Sequence, residues 1–163
     1  MATLTTARVR TARGQAVIEM ALTLPLLLLV IFGIFDFGFM FQRYEVVTNA
    51  AREAARLGVL RDSGGYTAPE AAARAVSYLD ASGVGIGVAP RACGAMPETA
   101  NSRCAEVTFG TADLGGTPPK IVNEVTAVVE YDHEHIFVGP IMRLFGGSMG
   151  TVRLRAISTM RLE

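Results

Sequence analysis

The longest feature of the hydrophobic pattern is an uncharged run from Met20 to Phe35, near the start of a chain of 163 residues. Extending the run back to Ala16 adds a single acid, Glu19. An apolar helix needs about 20 residues to cross the roughly 30 Å hydrocarbon core of a bilayer, because each residue adds about 1.5 Å. The pattern therefore predicts a transmembrane helix over residues 15–41.

The pattern stays helical beyond the span but becomes amphipathic. Apolar residues recur every three or four positions, charged residues lie between them, and Gly58 follows as a helix stop. We expect one continuous helix from Gln15 to near Leu57, with its first half in lipid and residues 42–60 forming an amphipathic extension. The apolar positions of the extension are Val46, Val47, Ala50, Ala51, Ala54 and Leu57.

Residues 61–163 carry short elements separated by glycine and proline, which predict one small α+β domain outside the membrane. Thr67 and Glu70 have the spacing of a capping box at the start of a helix over residues 71–79. Ala72, Val76 and Leu79 are expected to share one face of that helix.

Alternation with a period of two predicts the strands of this domain. The predicted strands cover residues 105–109, 123–131 and 151–161, and a short apolar turn or helical bend covers 139–147. Residues 84–88, where apolar residues alternate with glycines, are expected to form a strand or a segment of close backbone packing. The expected fold class is α+β, with the long N-terminal helix packed on a small antiparallel sheet.

The charge of the chain limits the classes of partner that it can bind. The chain has 15 basic and 15 acidic residues and no net charge. Because nucleic-acid-binding domains usually show a basic patch or stripe, no nucleic-acid partner is expected.

Arginines flank both ends of the span, so the positive-inside rule does not decide its orientation. We place the C-terminal domain outside the cytoplasm, because residues 1–13 are too few for a domain and both cysteines lie in the C-terminal part.

The start of the chain has the layout of a processed leader. A basic stretch ends at Gly14, and the carboxylate of Glu19 lies five positions later. This layout resembles the type IV pilin leader, in which cleavage after Gly14 makes Gln15 the first mature residue and Glu19 the fifth. No small-x-small site follows the apolar run, which argues against removal of an ordinary secretory signal.

Further motifs narrow the resemblance to one family. They are Gly-Gln-Ala-Val-Ile-Glu at 14–19, Leu-Pro-Leu at 24–26, Gly-Ile-Phe-Asp-Phe-Gly at 33–38, Thr-Asn-Ala-Ala-Arg-Glu-Ala-Ala-Arg at 48–56 and Ser-Thr-Met-Arg at 158–161. In this order they resemble the TadE-like family, the pseudopilins or minor pilins of the tight-adherence (Tad, Flp-type) pilus system. The strong similarity covers about residues 14–58 and the last dozen residues.

The resemblance implies a pilin-like fold and a role in assembling a Tad-type pilus. Residues 1–14 would be a cytoplasmic leader that a prepilin peptidase removes. The chain would lie in the bacterial inner (cytoplasmic) membrane as a single-pass protein. Its implied partners are the peptidase, other Tad pseudopilins and pilins, the inner-membrane pilus assembly platform and the lipid bilayer.

Glu19 and Gln15 would carry the assembly step. Cleavage creates a positive amine at Gln15, and the Glu19 carboxylate of a neighbouring subunit would gain more from meeting it in low dielectric than in water. Two alternatives stay open. Glu19 can instead snorkel to the cytoplasmic interface, and the chain can be a membrane-anchored binding module that is not processed.

Two features of the span are expected to shape it. Pro25 lacks an amide hydrogen and clashes with the carbonyl of Ala21, which predicts a kink. Asp36 ends the uncharged run and is followed by Phe37 and Tyr44, which are typical of a membrane interface. We interpret Asp36 as a solvated carboxylate at the outer boundary.

The domain offers few groups for chemistry. Cys93 and Cys104 are expected to form a disulfide in an oxidising compartment, with a reactive or free pair as the alternative. His133 and His135 lie at alternate positions of a strand end and could chelate a metal, but the sequence places no third ligand. No catalytic constellation or dinucleotide motif is present, so neither enzyme activity nor a cofactor is expected.

Overall fold

The computed structural model describes residues 5–60, 66–86, 91–95 and 99–162, with side chains from residue 14 onward. Its elements are the helices α1 (Thr5–Val59), α2 (Ala68–Ala81) and α3 (Val138–Leu144), and the strands β1 (Arg103–Asp113), β2 (Ile121–His133) and β3 (Val152–Arg161). The fold is α+β, as the sequence predicts, with a long N-terminal helix packed on a small antiparallel sheet. The predicted leader (1–14), the segment predicted at 84–88 and the predicted domain (61–163) each extend in part beyond the described residues.

The sheet has three strands in the order β1-β2-β3, and both pairings are antiparallel. In its register Val107 pairs with Ala127, and Val129 pairs with Ala156. The inner face of β2 is buried at alternate positions, as the period-two pattern predicts. Val125, Ala127, Val129 and Tyr131 form this face.

The second half of α1 lies on this sheet with small side chains at the contact. Val47, Ala50, Ala51 and Ala54 are fully or almost fully buried. At Gly58 the approach is closest, because an added Cβ would lie 2.5 Å from Cγ1 of Val125. The helix begins at Thr5, ten residues before its predicted start at Gln15, and it runs beyond Gly58 by one residue to end at Val59.

The helix α2 covers the adjoining surface of α1 and begins with the predicted capping box of Thr67 and Glu70. The Glu70 carboxylate accepts the backbone N–H of Thr67 at 2.7 Å. The predicted face is right at Leu79, which is buried, and Ala72 is partly buried against the core, but the most buried face is shifted by one residue. The buried positions are Ala71, Ala75 and Leu79, a set spaced by four residues, rather than Ala72, Val76 and Leu79.

Of the two structures expected for residues 84–88, the strand is wrong over the described residues 84–86, which form turns. Close backbone packing is confirmed at Gly85, where an added Cβ would lie 3.1 Å from the carbonyl oxygen of Asn101. Gly83 and Gly85 both have a φ of +74°, a conformation that breaks a strand and that glycine adopts at little cost. Their carbonyls accept side-chain hydrogen bonds from Arg43 and Arg103, respectively. The burial of Val84 comes from the packing of this turn against the core, which imitates the apolar pattern of a strand.

Candidate assembly surface and its junction with the domain

The predicted processing site lies on an open helical surface. Gly14, Gln15 and Glu19 are all exposed, and a Cβ added at Gly14 would have no atom within 4 Å. The side-chain amide of Gln15 donates a hydrogen bond to Oε1 of Glu19 at 3.2 Å. Because these residues lie one turn apart, the carboxylate of Glu19 and the new amine expected at Gln15 belong to the same end of the helix.

The apolar half of α1 has no cover from the rest of the described chain. Among the described residues, the part of α1 over Gly14–Val59 is long and apolar enough to cross a membrane. Its most apolar stretch of 18 residues has a mean hydropathy of 2.5, and none of that stretch is buried. Contiguous apolar surface of this extent marks a lipid or protein contact. The finding suggests a single-pass membrane anchor. The large exposed side chains are Val17, Ile18, Met20, Leu22, Leu24, Leu26, Leu27, Leu28, Leu29, Val30 and Ile31. We call residues 17–31 the bare segment.

Pro25 lies in the middle of the bare segment, and α1 continues through it as one helix. The missing amide hydrogen leaves the carbonyl of Ala21 without its usual helical donor. The predicted kink stays a prediction.

Asp36 does not match its interpretation as a solvated carboxylate, because it is only 3% exposed. Its Oδ1 accepts the backbone N–H groups of Ile136 and Phe137, each at 3.0 Å, and its Oδ2 accepts that of Val138 at 2.7 Å. The carboxylate thus binds the first turn of α3, about 100 residues later in the chain. A hydrogen bond to a charged group contributes about 1.5–3 kcal/mol, so three of them make a strong link.

Aromatic packing reinforces this link on both sides of Asp36. The ring of Phe137 stacks on Phe32 with centroids 5.4 Å apart, and it also contacts Phe35 and Phe39. We call Asp36 and this aromatic group the junction. Because it joins the end of the apolar run to the segment between β2 and β3, the domain is held to the helix at the span boundary.

The predicted interface residues Phe37 and Tyr44 point away from the junction. They are 58% and 46% exposed, and Phe37 contacts Phe41 with ring centroids 5.6 Å apart. Their assignment to a membrane interface stays a prediction, although their exposure is compatible with it.

Cys93 and Cys104 form the predicted disulfide, with Cα atoms 5.3 Å apart. The bond fastens the segment around Gly94 to the start of β1. The same segment is held by Glu130, whose Oε2 accepts the backbone N–H of Gly94 at 3.1 Å. The disulfide therefore works together with a buried charge network.

That network was not predicted, although alternation along β2 places Glu130 and Asp132 on the face opposite the core. Arg91 donates to Oε2 of Glu130 and to Oδ2 of Asp132, each at 2.9 Å. Arg153 donates to Oδ1 of Asp132 at 3.0 Å, and Ser102 donates to its Oδ2 at 2.7 Å. Every side of the Asp132 carboxylate thus has a donor.

The donors set the charge state of these carboxylates. Burial raises the pKa of Glu130, but the Gly94 N–H and the Arg91 guanidinium outweigh it and hold the pKa below its usual value. Burial likewise raises the pKa of Asp132, and hydrogen bonds from Arg91, Ser102 and Arg153 bring it below its usual value. Both groups are therefore charged at neutral pH and stabilise the fold in that form.

The two histidines meet at the junction end of the sheet. The rings of His133 and His135 are 5.7 Å apart, and Nδ1 of His135 lies 3.9 Å from Oδ2 of Asp36. Burial, and next the neighbouring His135, lower the pKa of His133. Within the described ranges no group of three or more His, Cys, Asp or Glu side chains is arranged to hold a metal ion.

Comparison with known proteins finds a family match for the N-terminal part of the chain. The family model described as TadE-like protein matches residues 14–56. No curated protein and no solved structure gives a significant match. The match covers the bare segment, the junction carboxylate and most of the helix that packs on the sheet, and it supports an association with the Tad pilus system. The N-terminal segment of this chain is TadE-like.

Proposed function

We propose that the protein is a pseudopilin or minor pilin that takes part in assembling a Tad (Flp-type) pilus after a prepilin peptidase cuts it between Gly14 and Gln15. The observation that carries the proposal is the bare segment, an apolar helix with one carboxylate that the domain leaves uncovered. The TadE-like match over the same residues supports it. The role is one of assembly rather than catalysis.

The bare segment suits a helix that exchanges one apolar environment for another. In the bilayer its side chains contact lipid, and in an assembly they would contact the helices of neighbouring subunits. Lipid tails are as apolar as leucine, so the exchange is driven by close packing and by polar pairs rather than by the hydrophobic effect. The bare segment offers one acidic group for such a pair, Glu19.

The pairing chemistry follows from the position of Glu19. In the uncut chain its carboxylate bonds the side chain of Gln15 within the same helix. Cutting after Gly14 would add a positive amine at Gln15, which a neighbouring subunit's Glu19 can neutralise. A buried charge pair stabilises a complex only when both partners are present, because an unpaired charge in low dielectric is costly. The pair would therefore fix the axial register of adjacent helices.

The junction gives the domain a part in this process. Because Asp36 and Phe137 tie the segment after β2 to α1, the domain follows the helix when the helix changes place. The C-terminal domain would lie outside the cytoplasm, with the leader inside and the helix in the inner membrane. The peptidase, other Tad pseudopilins and pilins, and the inner-membrane platform would be its partners.

The test compares Glu19→Ala with Glu45→Ala, a matched removal of an exposed carboxylate on the same helix beyond the bare segment. Each variant is expressed in cells with a complete Tad system, and its amount in membranes and in the purified assembly is measured. We expect both variants to be inserted and cut. Glu19→Ala should be lost from the assembly by about tenfold or more, since one lost charge pair exceeds 1.4 kcal/mol.

Unaltered recovery of Glu19→Ala in the assembly would refute the pairing role. An uncut chain whose recovery does not depend on Glu19 would instead favour a membrane-anchored binding module. Glu19→Gln separates charge from hydrogen bonding, because it keeps the size and one acceptor oxygen of the side chain. It should behave like Glu19→Ala if the charge carries the pairing.

A further inference from the structure

We propose that the connection between β2 and β3, residues 134–151, is a second membrane-contacting element that inserts Leu144 and Phe145 into the bilayer leaflet on the side of the domain. The inference rests on α1 crossing the bilayer. It does not depend on peptidase cleavage or on pilus assembly.

The sheet register places this connection at the end of the domain nearest the span. Val125 of β2 lies against Gly58, close to the end of α1. His133, at the other end of β2, pairs with Val152 of β3. Because β2 runs back along α1, the chain leaving His133 arrives beside Asp36.

The junction sets the depth of the connection relative to the apolar run. Phe32, on which Phe137 stacks, precedes Asp36 by four residues, or about 6 Å along the helix toward the bilayer centre. Phe137 also contacts Phe35 and Phe39, on the two sides of Asp36, so its ring lies at the level of Asp36, at the boundary of the span. Since α3 begins at the next residue and has a length of about 10 Å, its far end stays near the membrane surface.

The far end of α3 carries the most exposed large apolar side chains in the described part of the chain. Leu144 is 82% exposed and Phe145 is 79% exposed. Adjacent to them, Arg143 is paired with Glu134 at 3.0 Å and keeps a charged group in the same segment. Apolar tips beside a cation are typical of segments that lie at a bilayer interface. Further exposed apolar side chains of this end are Ile136, Met142, Met149 and Val152.

Lipid fits this surface better than a second protein does. A specific protein interface needs about 800 Å² from each partner, whereas one buried aromatic side chain supplies about 150–250 Å². The projecting side chains of Leu144 and Phe145 supply less than this area by themselves, but they can enter a bilayer that α1 already holds in place. The surface is also continuous with the bare segment through Phe137.

The test uses the absence of tryptophan from the chain, which makes a single introduced tryptophan a unique fluorophore. Three full-length variants are placed, one copy per disc, in nanodiscs with and without brominated phospholipid, which quenches tryptophan on contact. Phe145→Trp reports on the proposed element, and Leu22→Trp reports on the span. Ile121→Trp is the matched control, because Ile121 is 57% exposed at the opposite end of the sheet.

We expect brominated lipid to remove most of the emission of Phe145→Trp and of Leu22→Trp, and to leave that of Ile121→Trp unchanged. Quenching of Leu22→Trp without quenching of Phe145→Trp would overturn the inference and leave the span intact. Absence of quenching at both positions would overturn the span together with the inference. The emission of Phe145→Trp could instead shift to the blue only in discs that hold two copies, and without quenching by brominated lipid. That result would assign the surface to a protein contact and overturn the lipid contact.

Discussion

The two halves of α1 are parts of one unbroken helix, yet they differ in what covers them. In the bare segment every large side chain is exposed, and the apolar window has no burial. In the second half Val47, Ala50 and Ala54 are completely buried against the sheet and α2. The difference is one of side-chain size, because alanines let the sheet approach closely, whereas the leucines of the bare segment need a partner that adapts to their shape.

The junction is the point where the two halves meet, and its loss should have the largest effect on this arrangement. Asp36→Ala leaves three backbone N–H groups of residues 136–138 without their acceptor. A buried donor that is left unsatisfied costs about 1–3 kcal/mol. Hydrogen exchange of these amides in the full-length protein should become much faster, and denaturant unfolding of the domain in detergent should shift to lower concentration.

Asp36→Asn is the matched control for the junction. Asparagine keeps the shape and one acceptor oxygen but loses the charge, so its effect should be intermediate. Exchange of the amides of Ile136, Phe137 and Val138 at the native rate in Asp36→Ala would contradict the role of this carboxylate.

The same substitution in each half of α1 sharpens the comparison. In Gly58→Val the new Cβ would lie only 2.5 Å from Cγ1 of Val125, so the sheet and the helix must move apart. This overpacking should destabilise the domain by about 1–3 kcal/mol. Gly33→Val, where an added Cβ meets nothing within 4 Å, should leave the unfolding midpoint unchanged. The measurement is the midpoint of denaturant unfolding in detergent. Equal shifts of this midpoint in the two variants would show that the two halves of α1 do not differ in how closely the domain packs on them.

The smallest effect is expected at the charge network, which lies on the face of the sheet opposite the one that packs on α1. The pKa values of Glu130 and Asp132 are lowered in the folded protein, so the unfolded chain binds protons first as the pH falls. Their stabilisation is complete above the ordinary carboxylate pKa of about 4 and is lost below it. The free energy of unfolding should decline as the pH falls from about 5 to 3.

Glu130→Gln removes one titrating group, so it should flatten this pH dependence while leaving Asp132 in place. A decline as steep as that of the unaltered protein would assign the acid sensitivity to other carboxylates. The measurement is denaturant unfolding of the full-length chain at a series of pH values.

The sequence predicts the parts of the fold that local pattern determines. The long helix, the capping box of Thr67 and Glu70 and the alternating strand at β2 are confirmed, because each depends on residues that are neighbours in the chain. The strand, one of the two structures expected for residues 84–88, does not form over residues 84–86, because Gly83 and Gly85 adopt a positive φ that distant arginines stabilise.

The candidate functional residues also divide into those that a local motif identifies and those whose partners are distant in the sequence. Gly14, Gln15 and Glu19 can be read from a short motif. The role of Asp36 cannot, because its hydrogen-bond donors lie at least 100 positions away. The network of Glu130 and Arg91 spans 39 positions, and only the outward placement of Glu130 on β2 indicates it.

The central claim is that α1 begins, after processing, at the carboxylate-bearing end of the bare segment. The most direct test is the intact mass of the protein recovered from membranes of cells that carry a prepilin peptidase, with Gly14→Val as a variant expected to resist cleavage. The account predicts a chain that starts at Gln15, with Glu19 as its fifth residue. A chain that starts at Met1 or Ala2, or one that starts beyond Phe35, would contradict it.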